Sequence, residues 1–325
     1  MANEVEKVAL IAVSNIEKID LITVANIEKI SGMEISSGST DTWSSAGAMN
    51  DAMSGSGQAI GLVNTAVVVA GGYEGAFTDD TQERNGTTWT TESATLSATR
   101  QQYGSAGSAT SGLAVGGWPG AGGNTDVVQK YNGSAWSTGE SAINTEKGAN
   151  RCVGTSNTSI FQALGDVDGG TTSDAQNAQF YNGTSWYNKT DPPNGCGYTN
   201  AFGESGAARF CGGYGYPGAM NGVQYWNGTS WNDSAVTTRI YRTQQGAAFG
   251  TSSAAVMFSG AGSTTSGDGY AADQDHADKW NGTAFSAAST VPYGENDLHG
   301  AGITTAGIGF GGGGGSPVDT CVTYA

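Results

Sequence analysis

The 325-residue chain carries 29 acidic against 13 basic side chains, a formal net charge of −16, with 53 glycines and only 13% charged residues. Its scattered Lys and Arg form no counterion-displacing patch, which argues against nucleic acid as a partner, and six prolines without every-third-residue glycine exclude a collagen helix. Eight Trp, 13 Tyr and 9 Phe within 37% hydrophobic residues are too many for an acidic disordered chain and predict a packed core rich in tight turns.

Residues 1–6 have no basic n-region, and the longest early apolar run, Val8 to Val13, is too short for a secretory signal or a membrane span, so neither is expected. Residues 5–37 repeat with a period of eleven, as Val5 to Asn15, Ile16 to Asn26 and Ile27 to Ser37. On a helix the apolar positions of this repeat would surround the axis; on a strand they occupy both faces, and Val and Ile dominate as strands prefer. The segment therefore reads as short β-arcs, with Ile16, Ile19, Leu21, Ile22, Val24, Ile27 and Ile30 as apolar anchor residues. Some thirty residues cannot hold a core alone. Residues 1–40 are accordingly expected to dock on a partner or intertwine with copies of themselves, a homotrimer being the leading expectation for a stalk of strands.

Beyond residue 40 one motif recurs: Arg84-Asn85-Gly86-Thr87-Thr88-Trp89, Tyr131-Asn132-Gly133-Ser134-Ala135-Trp136, Tyr181-Asn182-Gly183-Thr184-Ser185-Trp186, Trp226-Asn227-Gly228-Thr229-Ser230-Trp231 and Trp280-Asn281-Gly282-Thr283-Ala284-Phe285. Asn-Gly between β-rich flanks predicts a hairpin with a type I′ turn, in which both central residues take positive φ. Upstream of each lie an apolar stretch ending in glycine, such as Thr65 to Gly72 or Gly112 to Gly117, and a strand of small residues, such as Gly104 to Ala109. Each unit thus reads as four strands. The final aromatics are 47, 50, 45 and 54 residues apart, and Trp43 precedes the first by 46. That period is the period of propeller blades. Residues 41–325 divide into six such units, giving an all-β, six-bladed β-propeller. The last unit ends at a third strand, residues 319–324, while residues 41–47 form an outer strand with no blade before them; the two are expected to pair and close the ring.

The Gly-Gly strand ends, the Tyr-Asn-Gly-Thr-x-Trp hairpins and the six units resemble a kelch-like, galactose-oxidase-type β-propeller, in the degenerate form found in structural proteins of marine bacteriophages. The Asn-Ile-Glu-Lys-Ile stretches of residues 1–40 resemble N-terminal segments of marine phage virion proteins. The resemblance implies a virion structural protein, a capsid decoration or a tail or fibre component. It would be made in the host cytoplasm and displayed on the virion surface, held to other virion proteins through residues 1–40.

The Asn-Gly-Thr/Ser triplets also match the glycosylation pattern, but the turn already accounts for them. A galactose-oxidase copper site needs imidazole ligands, and the chain has only His276 and His299. Sialidases need clustered arginines and Ser-x-Asp-x-Gly-x-x-Trp boxes. No box occurs, and Arg84, Arg100, Arg151, Arg209, Arg239 and Arg242 show no focus in sequence. Glu204, Glu295, Asp297 and Asp126 could supply a glycosidase pair, yet they read as solvated loop acids, so no catalytic residue is assigned. The expected role is non-enzymatic, with a glycan hydrolase acting on host polysaccharide as the alternative. Two acid-rich loops, Asp166, Asp168 and Asp174, and Asp268, Asp273, Asp275 and Asp278, either wrap calcium or are solvated turns; no other cofactor is expected. Tyr73, Trp118, Tyr214 and Tyr216 read as exposed loop aromatics that either stack on host-surface glycan or pack between blades.

Overall fold

A computed structural model of the chain describes residues 29–30, 33–34, 41–55, 59–120, 122–167, 176–215, 218–219, 222–233, 242–263, 275–313 and 315–325, and none of these is α-helical. Contacts divide the chain into two units, residues 1–40 and 41–325. In the first, Lys29–Ile30 pairs antiparallel with Met33–Glu34. The anchor positions 16, 19, 21, 22, 24 and 27 lie outside the described residues, and Ile30 is described in its backbone only.

In the second unit the small-residue, apolar and hairpin strands assemble as the repeat requires, in six antiparallel sheets. Their first strands are Ile60–Val63, Gly104–Ser108, Arg151–Ser156, Asn200–Glu204, Ala247–Thr251 and His299–Ile303. Each is flanked by the first strands of the blades before and after it, His299–Ile303 meeting Ile60–Val63 to close the circle. Small residues are needed where these strands crowd the axis: a Cβ on Gly104 would overlap Asn150, and one on Gly300 would lie 2.9 Å from the Ala248 carbonyl. Five blades have four strands. In the second blade the fourth is reduced to a bridge between Tyr131 and Trp136. The sixth is completed by Trp43–Ser45, which pairs with Val322–Tyr324. The Trp43 ring lies 4.9 Å from those of Phe258 and Tyr324, and Asp41 pairs with Lys279 at 2.7 Å.

The second strand of every blade ends in a doublet whose first residue has φ near +60° and whose second has φ near +100°: Gly71-Gly72, Gly116-Gly117, Leu164-Gly165, Gly212-Gly213, Ser259-Gly260 and Gly311-Gly312. The second residue turns its N–H to the next blade. Gly72 donates to the Arg100 carbonyl at 2.7 Å, Gly117 to Lys147 at 2.7 Å, Gly165 to Cys196 at 3.1 Å, Gly260 to Glu295 at 2.8 Å and Gly312 to Met53 at 2.8 Å. A Cβ on Gly165 would lie 2.8 Å from the Gly148 carbonyl at a φ of +116°. Gly165→Ala is therefore expected to cost about 2 kcal/mol, read as a lower urea midpoint with an unchanged slope.

The hairpin turns differ from the type I′ expectation. In four blades the loop has four residues, since Tyr131 pairs with Trp136, Tyr181 with Trp186, Trp226 with Trp231 and Trp280 with Phe285. Positive φ is taken by the glycine and not by the asparagine. The asparagine acts through its side chain: Asn182 Oδ1 accepts the N–H of Thr184 at 3.0 Å and of Ser185 at 2.9 Å, and Asn132, Asn227 and Asn281 repeat the pattern. With two backbone donors satisfied by the carboxamide, the left-handed Asn of a type I′ turn is not required. The first blade has a shorter loop, Asn85 pairing with Thr88.

The outer tryptophans tie each blade to the chain of the one before. Trp136 Nε1 donates to Thr81 Oγ1 at 2.9 Å, Trp186 to the Ser141 carbonyl at 3.0 Å, Trp231 to Thr190 at 2.7 Å and Trp43 to Ser289 at 3.0 Å. Between blades the core is aromatic, as where Phe161 stacks on Trp226 at 4.8 Å. All four cysteines are free and buried.

Candidate functional site

All six inner strands begin at the same face of the ring, so the segments leading into them and the loops after each doublet gather there. Tyr73, Trp118 and Tyr214 occupy one structural position in the first, second and fourth blades. Each directly follows its doublet and bridges the lead-in of its own blade, through Ser54, Gln101 and Gly197 respectively. Asp166 holds the same position in the third blade, against Gly148, and is exposed. Of the four aromatics read as either stacking on glycan or packing between blades, two follow the second course. Tyr214 is 43% exposed, but Tyr73 and Trp118 are half-buried. The strand pair returns Phe77 opposite Tyr73, and its ring meets Tyr73 edge-on at 5.8 Å and Trp118 at 5.3 Å. Tyr216 lies outside the described residues.

The expected loop acids separate. Asp275 is exposed, 3.7 Å from His276 Nδ1, whereas Asp278 is no loop residue: it is fully buried within the strand Ala277–Trp280. Asp168, Asp174, Asp268 and Asp273 lie outside the described residues. Among the described residues no three His, Cys, Asp or Glu side chains converge as a metal-ligand set. Glu204 ends its inner strand, at the opposite face, where its carboxylate accepts the Ser252 N–H at 3.3 Å. Asp126 belongs to the second blade, while Glu295 and Asp297 lead into the sixth. Asp297 is not a solvated acid but is 9% exposed. Sequence reading missed Glu74, whose carboxyl is pushed up to about 7, first by burial and then by Asp51 and Asp80. Its Oε1 is buried without a hydrogen-bond partner.

Most of the described arginines are structural ties. Arg84 donates to the Asn64 carbonyl at 2.8 Å, Arg100 to Gly116 at 3.1 Å and Val127 at 3.0 Å, and Arg209 lies between the rings of Tyr225 and Trp280. His299 is buried and stacked on Phe310.

Arg151 differs, because it belongs to a cluster on the axis. Two residues before the five inner strands where this position is described, the chain takes positive φ at a residue that is not glycine: Gln102 (55°), Ala149 (46°), Tyr198 (57°), Gln245 (56°) and Asp297 (57°); position 58, before the first, lies outside the described residues. Backbone hydrogen bonds link them from blade to blade. Asp297 donates to Gln245 at 2.8 Å, Gln245 to Tyr198 at 3.2 Å, Tyr198 to Ala149 at 3.2 Å, and Gln102 to Gly55 at 3.0 Å. The Tyr198 hydroxyl reaches to 3.4 Å from Gln102 Oε1, two blades away. Arg151, in the third blade, is 2% exposed and donates to the Asn150 carbonyl at 3.1 Å. Burial pushes its guanidinium down to about 10, opposed first by Asp297, which belongs to the diametrically opposite blade. Burial, followed by Asp166 and Asp297, raises the Tyr198 phenol. Beneath this cluster a cavity lined by Arg151, Asn200, Ala247 and Gly300, among others, has about 10 Å³ of space, room for roughly one water. Gln, Tyr, Ala and Asp at equivalent sites share no sequence signature, which is why the cluster was invisible before the ring was closed.

No protein-family model and no curated protein matches the chain. Solved structures do, 221 chains in number. One of them, YjhT, superposes with a TM-score of 0.66 at 14% identity, over 86% of this chain and 99% of that one. At this identity the likeness concerns architecture, and with the ring of blades described above it makes the chain a six-bladed β-propeller.

Proposed function

We propose that the chain is a non-enzymatic structural protein of a bacteriophage virion, a capsid decoration or a tail or fibre component. On this reading residues 1–40 attach it to other virion proteins as a homotrimer, and a kelch-like propeller faces the medium and adheres to host-surface glycan. The observation that carries the binding role is the set of aromatic rings at 73, 118 and 214 and amides at 102 and 245 on the face where the lead-ins gather, among the carboxyl groups of Glu74, Asp166, Glu295 and Asp297. Rings and amides suit sugar recognition, whereas hydrolysis needs two carboxyl groups held at a fixed separation. The ring closed by its own strand requires no partner, which suits a displayed module.

Glu74 favours a second reading, the polysaccharide hydrolase, since a carboxyl pushed up to about 7 has the proton affinity of a general acid. Purified protein incubated with host envelope glycans is expected to bind saturably and release no product. Product release that disappears in Glu74→Gln would establish the hydrolase and overturn the adhesin.

A further inference from the structure

We infer that the axial cluster is a sugar site, and that its ligand is the terminal, uncharged hexose unit of a surface glycan; this rests on the adhesin reading and gives it a location. The first argument is strain. A left-handed conformation costs a non-glycine residue about 1 kcal/mol, yet it occurs at five equivalent positions where glycine would remove the cost. Within a chain of 53 glycines, having Gln102, Tyr198, Gln245 and Asp297 at four of these positions places side-chain chemistry at the mouth of the axis.

The second argument is convergence. The contact between Tyr198 and Gln102 spans two blades, and backbone hydrogen bonds step from Asp297 to Gln245, Tyr198 and Ala149 around the ring, so these residues are arrayed about a common centre.

The third argument is chemical. The half-buried Gln102 and Gln245 offer carboxamides with paired donors and acceptors, and Tyr198 adds both a ring face and a hydroxyl, above the buried Arg151 and Asp297. Asp297 faces the one guanidinium, Arg151, and the exposed Asp166 adds a second carboxylate near Tyr198, so the mouth carries net negative charge. An anionic ligand would be repelled there, whereas the vicinal hydroxyls of a sugar match the carboxamides and the phenol without bringing charge. The cavity below holds roughly one water, so the ligand enters from one side and stops. A glycan therefore presents its end rather than threading through.

The test uses the full chain and four methyl glycosides (α-glucoside, α-galactoside, α-mannoside and β-N-acetylglucosaminide) in saturation-transfer NMR titrations. At least one is expected to bind saturably. Tyr198→Phe and Gln245→Ala are each expected to weaken that binding about tenfold at an unchanged thermal midpoint, with Gln102→Ala as a third variant should either fail to fold. Tyr214→Ala, on the rim, should leave it unaltered. Binding lost in Tyr214→Ala but kept in the axial variants would overturn the axial site and leave the adhesin intact. Adherence to host cells without binding of any glycoside would likewise overturn only the axial sugar site. Absence of both would overturn the two readings together.

Discussion

Deletion of residues 38–46 is expected to convert a soluble propeller into an aggregating one, while deletion of residues 1–35 leaves it soluble. The closing strand does more than add three paired residues. Its loss frees the edge of Cys321–Tyr324, and unpaired N–H and C=O groups there are a template for another chain. It also withdraws the Trp43 ring from Phe258 and Tyr324 and the Asp41 carboxylate from Lys279. Trp43→Ala alone should cost about 3 kcal/mol, the lower end for a buried tryptophan because this ring is half-buried. Light scattering and size-exclusion chromatography of the two truncations read the result. The same chromatography reads the stalk: the full chain is expected as a trimer and the chain lacking residues 1–35 as a monomer.

Lys147→Ala is expected to destabilise by about 3 kcal/mol at pH 8 and to remove a pH dependence. The side chain is fully buried, and its Nζ donates to the Leu164 carbonyl at 2.8 Å and to Asn177 at 3.0 Å, bracing the left-handed Leu164 of the third doublet. Burial pushes the amine down from 10.5 to about 7. Between those values the unfolded chain binds the additional proton, so stability rises as pH rises through about 7, with a limiting slope of about 1.4 kcal/mol per pH unit. The rise should end near pH ~8.5, where unfolded cysteines begin to ionise, whereas burial keeps Cys152 and Cys196 protonated in the fold. Urea titrations between these pH values should show the rise in the parent chain and its absence in the variant.

What the sequence made legible follows from which features are written in residue types. The second residue of each doublet, with φ of +107° at Gly72, demands glycine, and an interblade ring demands a large aromatic, so blade number and period could be read directly. The turn type could not, because Asn-Gly serves both a left-handed Asn and an Asn that caps with its side chain, and only register separates them. The choice between stacking on glycan and packing between blades was closed to Tyr73 and Trp118 for a related reason: their burial depends on Phe77, which meets Trp118 across a blade boundary. The axial cluster was beyond reach because it joins residues 102, 151, 198, 245 and 297, whose only common property is a place on the ring.

The frame that presents the axial side chains is a run of backbone N–H to C=O hydrogen bonds from blade to blade, so it does not depend on what those side chains are. Each of the five blades described at this position writes one letter at the mouth, and outside the Tyr198–Gln102 pair a letter can change by a single substitution without disturbing the frame. A new ligand then requires a new spelling rather than a new fold, and glycine is the one letter that relaxes the backbone while erasing the message.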